Sequence, residues 1–411
     1  MEPTIGEQLA RIRRQSSLTQ EQLAERSGVS VEVIQKLEQG RRKGARIPTL
    51  NRLARALEVP TSALFGDASS AAADREPHAR PLSLVGIRRA LTPVAGLDGV
   101  PILGDQDGPP PTVAVIRRSV QAANTIYHAN DYASTISLIP GLLGEARAVV
   151  AAVEGDEQAQ AHSVASYAHQ LAGRLLIQLR QADLAHVALS RALDHARLSG
   201  DQLVGAAAVA PMCWLLLRQA RFAEAEALAV RTADEVEPRL STAGPDQLAA
   251  WGFLLMKAAS AAVRDARADD AQEMLDLAMS GAHRLGSHVV PDADLGGNDY
   301  SVEGVHLVRV ESAVIAGQPD HALALSREAH RSPQTTPSGR QRHRLDVAAS
   351  HVELGQHTAA TEVLLDLRDR APAWLRQQRY ARDIVQSITE GRRRAMSTEL
   401  TQLADLVGCS L

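Results

Sequence analysis

The first sixty-odd residues set apolar side chains at helical spacing in short runs broken by turn signals. Ile5 to Gln15 carries Leu9 and Ile12, Thr49 to Leu57 carries Leu50, Leu53, Ala54 and Leu57, and Thr61 to Phe65 opens with a hydroxyl after Pro60. Between them Thr19 to Gly40 reads TQEQLAERSGVSVEVIQKLEQG, two helical patterns divided by Ser27-Gly28-Val29. Thr19 and Ser30 stand where an N-cap hydroxyl opens a helix. In the second pattern, Val31 to Gln39, the apolar Val33, Ile34 and Leu37 share one face and Glu32, Gln35 and Lys36 the other. The spacing predicts five short helices, the second and third joined as a helix-turn-helix whose polar face suits a DNA major groove.

A second pattern begins at Thr112 and runs helical to the end of the chain. After each of a series of turn signals a small residue is followed seven positions later by another small or apolar one: Thr135 and Leu142, Ala185 and Ala192, Ala225 and Thr232, Ala271 and Ala278, Ala322 and Ala329, Ala360 and Leu367. The steps between copies are 50, 40, 46, 51 and 38 residues. Each pair is expected in the second helix of a hairpin, where small side chains allow close approach to both neighbours. Between the two regions, residues 67–111 hold seven prolines and an Ala/Ser run, a spacer in which only Leu82 to Val94 keeps enough apolar residues for a docked turn or helix.

Composition agrees with packed helices: only three Phe, five Tyr and three Trp in 411 residues, with β-branched strand-like runs missing. Charge is divided unevenly. Residues 1–66 hold 11 Lys/Arg against 7 Asp/Glu, and the rest 33 against 41. The positive excess concentrates in Arg41, Arg42, Lys43 and Arg46, directly after the groove helix, where they would neutralise phosphates. Cys213 and Cys409 have no close partner in sequence, which points to a reducing compartment. No leader precedes the first helix and no run of about 18 apolar residues is apparent, so a cytoplasmic protein without membrane contact is expected.

The motif Thr19-Gln20, Leu23-Ala24, Gly28-Val29-Ser30, Ile34, Glu38, Gly40, Pro48, Leu50, Leu53-Ala54 and Leu57 resembles the Cro and phage-repressor type of helix-turn-helix domain, the xenobiotic-response-element class, over Glu2 to Gly66. The resemblance implies that Gln20 meets a phosphate or base and that Ser30, Val31, Glu32 and Gln35 face the groove, with Lys36 beside them and double-stranded operator DNA as the partner. The repeated hairpins resemble the tetratricopeptide repeat, although their steps exceed its usual 34 residues. That likeness implies a right-handed α-solenoid in which first helices line a concave groove. Projected from the small residues, the groove would carry Gln121, Asn124, Tyr127 and His128, Tyr167, Gln170, Arg174 and Gln178, Trp214 and Arg218, then Lys257, Glu311, Arg342 and Asp346. Amides could pair with a peptide backbone and arginines with a carboxylate.

The loop from Gly286 to Tyr300, with His288, Asp292 and Asp294, lacks metal-loop spacing and is read as surface. Hydrolase, metalloprotease, P-loop and dinucleotide motifs are missing, so no enzyme, cofactor or metal is expected. The expectation is therefore all-α: a helix-turn-helix domain at 1–66, a partly ordered linker at 67–111 and a helical-repeat sensor and dimerisation domain at 112–411. Together they resemble bacterial regulators that join such a reader to tetratricopeptide repeats, among them peptide-responsive quorum-sensing families. The Ala/Arg-rich, Lys-poor composition is similar to the actinobacterial group. A homodimer controlled by a peptide or small-molecule effector is one reading; a DNA-tethered scaffold for a protein partner is the other.

Overall fold

The computed structural model describes residues 5–16, 18–40, 47–57, 59, 84–94, 96–97, 102, 110–286, 300–329, 337–390 and 397–409. Among them are twenty helices and no strand. The chain divides into two compact units, Met1–Ser83 and Leu84–Leu411.

In the first unit, α1 (Ile5–Gln15), α2 (Gln20–Ser27), α3 (Val31–Glu38) and α4 (Ile47–Ala56) pack around Leu9, Ile12, Leu23, Ile34, Leu37 and Leu53, all buried. Thr19 and Gln22 close a reciprocal capping box that starts α2. Gly28, at φ 64°, ends it with a left-handed residue that permits the tight turn into α3. Ser30 has the extended backbone of an N-cap, but its hydroxyl makes no capping hydrogen bond, unlike the expectation. At Gly6 α1 passes so near α3 that a Cβ would lie 1.8 Å from the Leu37 carbonyl oxygen, which leaves room for glycine alone. The helix expected over Thr61 to Phe65 lies outside the described residues, as does the loop carrying Arg41, Arg42, Lys43 and Arg46.

The second unit begins with α5 (Val85–Leu91), then six helical hairpins: α6 (Val113–His128) with α7 (Tyr132–Ala152), α8 (Asp156–Gln178) with α9 (Ala182–Ser199), and α10 (Gln202–Arg218) with α11 (Phe222–Glu235). They continue as α12 (Pro245–Arg264) with α13 (Ala268–Leu285), α14 (Val302–Ile315) with α15 (Pro319–Ala329), and α16 (Pro337–Glu353) with α17 (His357–Arg370). α18 (Pro372–Arg376), α19 (Arg379–Glu390) and α20 (Thr398–Val407) close the series. Each hairpin packs on the next, first helix against first helix, so the first helices form one layer and the second helices another.

All six hairpins use the same turn. Its middle residue, Asn130, Arg180, Ala220, Ala266, Gly317 or Gly355, sits at φ between 57° and 70°. The next N–H donates to the carbonyl five residues back, at 2.7 to 3.3 Å, which caps the first helix in a Schellman arrangement. Five residues after each left-handed position come Thr135, Ala185, Ala225, Ala271, Ala322 and Ala360, none more than 1% exposed. The recurring small residues thus mark one structural position, and their uneven steps are absorbed in helix length and in the links between hairpins. The left-handed conformation costs an alanine about 1–2 kcal/mol, more than glycine's extra chain entropy of about 0.5–1 kcal/mol. Ala220→Gly and Ala266→Gly are accordingly expected to raise stability by about 0.5–1 kcal/mol each, read as a higher unfolding midpoint.

Two expectations are corrected in this unit. α5 is the docked helix expected within Leu82 to Val94, but it belongs to the repeat unit and not to a linker: Ile87 and Leu91 are buried in the repeat core and Arg147 Nη2 donates to the Ala90 carbonyl at 2.6 Å. The second unit therefore starts at Leu84 and not at Thr112. And one helix, α7, is long and apolar enough to cross a membrane by length and composition. Its apolar character is used in packing instead: nine of its residues, Ile139 and Leu143 among them, are buried, and it packs against α5, α6 and α8. Trp251 is a core residue, and both cysteines are free thiols.

Candidate nucleic-acid face and ligand cavity

α3 buries Ile34 and Leu37 and leaves Ser30, Glu32 and Lys36 exposed, with Val31 and Gln35 half-exposed. These are the five positions expected to face a groove; Val31, Glu32, Gln35 and Lys36 lie on the side of the helix opposite the buried Ile34 and Leu37, and Ser30 lies at its N-terminus. Lys36 Nζ and Glu32 Oε1 pair at 2.6 Å across one turn, an exposed contact of the kind worth little in water, which DNA phosphates could easily divide. Gln20, expected at a phosphate or base, is half-exposed and also makes a contact within the protein. Its Nε2 donates to Glu38 Oε2 at 2.7 Å, which joins α2 to the last turn of α3.

Glu38 is the centre of a small network. Arg13 donates to both carboxylate oxygens at 2.7 Å, through Nε and Nη2, and its Nη1 reaches the Leu18 carbonyl at 2.9 Å. The bidentate geometry is the strong form of this contact. Although burial opposes ionisation, the bonds from Arg13 and Gln20 hold the Glu38 carboxyl below its ordinary range. α1, α2 and the last turn of α3 are thereby tied at one carboxylate, which fixes how α3 is presented.

The second unit contains a cavity of about 520 Å³, the size of a site for a small organic ligand. Its wall is built from first helices: Tyr127 and His128 of α6, Arg174 and Gln178 of α8, Trp214 and Arg218 of α10, Lys257 of α12, Glu311 of α14, and Arg342 and Asp346 of α16. Ten residues projected from the repeat pattern therefore converge on it. Four others do not. Asn124 is buried and accepts from Arg174 Nη2 at 2.7 Å, Gln170 is buried and donates to the Ser166 hydroxyl at 3.1 Å, Tyr167 belongs to the core, and Gln121 is exposed away from the cavity. Asn124 thus orients Arg174 from behind the wall.

Several lining residues went unforeseen. α18 and α19 return to the wall and supply Trp374, Arg379, Tyr380 and Asp383, while Gln378, between these helices, lies 3.5 Å from Gln178 at the end of α8. Arg180 Nη2 also reaches the Gln377 carbonyl at 3.4 Å. The last helices of the unit thus meet its second hairpin and form one side of the cavity. α12 adds Phe253, Met256 and Arg264.

Cations in this wall sit on aromatic rings: Arg174 over Tyr127 at 5.3 Å, Arg218 over Trp214 at 5.4 Å, Lys257 over Phe253 at 4.4 Å and Arg342 over Tyr380 at 4.4 Å. The carboxylates lie on one side. Glu311 accepts from Arg264 at 2.7 Å and from Arg342 at 3.4 Å; burial opposes its charge, but the two guanidiniums hold its carboxyl down at about 2. Asp346 is pushed up to about 7 by burial, against the pull of Arg342 and with Glu311 adding like charge. Burial, with Arg174 nearby, lowers His128 to about 4, so its ring is neutral at physiological pH and its two nitrogens have no hydrogen-bond partner.

Residues 4–64 match the family described as Helix-turn-helix domain, so the first unit is a helix-turn-helix domain of the kind found in DNA-binding regulators. Neither the curated proteins nor the solved structures show a match to the chain.

Proposed function

We propose that this chain is a sequence-specific transcriptional regulator that works in the cytoplasm as a homodimer and responds to a ligand held in the cavity of its repeats. The observation that carries the reading is the union, in one chain, of a helix-turn-helix domain with a cavity of about 520 Å³ walled by charged and aromatic side chains. A tetratricopeptide-like solenoid of the sensor type fits the six identical hairpin turns. The homodimer rests on an energetic argument. One recognition helix offers a few base contacts worth about 1–3 kcal/mol each, too little to select one site in a genome without a second copy. Nothing in the wall calls for catalysis in this reading; the cavity binds, and the outcome is a change in DNA affinity.

α5 supplies a physical route for such a change. The chain leaving the N-terminal unit is fastened at α5 to α7 and, through Arg88 Nη2 and Gln181 Oε1 at 3.1 Å, to the start of α9. A shift of the hairpins around the cavity would be passed to that anchor.

The test is operator selection from random DNA with the full chain, followed by Gln35→Ala. The substitution is expected to lower discrimination between operator and random DNA by about 1–3 kcal/mol while leaving binding to random DNA nearly unchanged. Unchanged discrimination would show that α3 does not read bases through this face.

A further inference from the structure

We infer that the cavity takes a small organic anion, a carboxylate or an equivalent oxyanion attached to a flat apolar body. The inference rests on the reading of the cavity as the effector site and adds the chemistry of the ligand. Six cationic side chains line the cavity against three carboxylates. The carboxylates are used up locally: Glu311 and Asp346 lie among Arg264 and Arg342, and Asp383 pairs with Arg379 at 3.8 Å. The cation that stands apart is Arg218. Among the described residues it makes no ion pair; the charges that act on it are those of Arg342 and Arg180, and burial keeps the phenols of Tyr127 and Tyr132 neutral.

Arg218 is exposed where it lines the cavity, although protein packs around the rest of its side chain. That enclosure, with its cationic neighbours, lowers its pKa to about 10 and still leaves it charged at physiological pH. An enclosed guanidinium repelled by other cations lacks an anion, and the field of the whole wall draws one to this place. A planar guanidinium binds a carboxylate through two parallel N–H bonds. Trp214, over whose ring Arg218 lies, lines the cavity together with Phe253, Leu217 and Met256, and this apolar lining suits an aromatic or alicyclic body and not a bare inorganic ion. A ligand with a positive charge would meet the same excess as repulsion.

The test uses the full-length protein and three probes of nearly the same shape: naphthalene-1-acetate, the neutral naphthalene-1-ethanol and the cationic 1-naphthylmethylamine. Binding is followed by intrinsic tryptophan fluorescence and by the shift in melting temperature. The acid is expected to bind at least about tenfold more tightly than the alcohol, with the amine weakest. Arg218→Gln should remove most of the acid's advantage over the alcohol, and Arg218→Lys should restore part of it. If Arg218→Gln does not fold, the ranking of the three probes on the unaltered protein still decides. Binding of amine or alcohol as tightly as acid, or no binding of the acid at about 1 mM, would overturn the inference. Operator affinity measured with and without the acid separates the two readings: an acid that binds without changing operator affinity supports the anion site and overturns its role as effector site.

Discussion

Glu38→Ala is expected to cost the N-terminal unit about 3–5 kcal/mol and, with it, nearly all binding to operator and random DNA alike. The size follows from what the substitution leaves behind. Arg13 makes two 2.7 Å bonds to this carboxylate and both side chains are largely buried, so alanine strands a guanidinium in a place built for an ion pair. Gln20 loses its acceptor at the same time. A unit of this size has on the order of 3–9 kcal/mol of total stability, so the loss takes most or all of it. Glu38→Gln should be milder, because an amide oxygen can still accept from Arg13 or Gln20. The check is thermal unfolding of the full chain, in which the N-terminal transition should move down and separate from that of the repeats, together with a DNA mobility-shift titration. If Glu38→Ala kept both the transition and the DNA affinity, the tie between α1, α2 and α3 would have no structural weight.

The contrast with Gln35 separates the two kinds of residue on α3. Gln35 projects from the exposed side, and its loss should alter which sequence is preferred. Glu38 faces inward, and its loss should abolish binding whatever the sequence. Spacing alone showed both positions as polar residues on a groove helix. It could not show that Gln20 and Glu38 would bond to each other, because they are 18 residues apart and meet only when α2 and α3 fold together.

In the repeats the division between what was legible and what was not has a simple geometric form. The small residue five positions after each turn could be found from sequence because close helix packing excludes larger side chains there, and the position recurs. The angular position of the cavity-facing stripes was also readable, since residues at i, i+4 and i+8 share a helix face. Gln170, Arg174 and Gln178 are one such stripe, and only the last two reach the cavity. Asn124 and His128 repeat the case on α6. Periodicity assigns a residue to a face but not to a depth along the axis, and the depth here depends on where the turn between α18 and α19 meets the end of α8. Those two helices carry no repeat signal, so Trp374, Gln378 and Tyr380 had none to betray them.

Glu311→Gln is expected to destabilise the repeat unit by about 3 kcal/mol at neutral pH, and the effect should change with pH in a way that identifies its cause. Glu311 is the shared counter-charge of Arg264, at 2.7 Å, and Arg342, at 3.4 Å, and so joins α12, α14 and α16 across the cavity wall. Without its charge both guanidiniums are left half-buried, with only Asp346 near Arg342 to answer them. The carboxyl of Glu311 is held down at about 2, whereas in the unfolded chain it ionises near 4.3. Its stabilisation is therefore fully present above the unfolded value and is lost as pH falls through the folded one, so the gap between the natural protein and the variant should narrow below about pH 4. Asp346 acts in the opposite sense. With its carboxyl at about 7 and an unfolded value near 3.9, its contribution is present below about pH 4 and is lost as pH rises through 7. The groups that face it are Arg342 on its own helix, Glu311 on α14, Arg264 on α12 and Tyr380 on α19. Glu311 supplies like charge among these, so removing it should lower the Asp346 carboxyl and flatten the decline in stability between about pH 4 and 7, the range set by these two values. Melting temperatures of the natural protein and Glu311→Gln across that range, continued down to pH 3, measure both effects. A variant that melts with the natural protein at pH 7, or whose deficit grows on acidification, would show that Glu311 is not the ion that holds these three helices together.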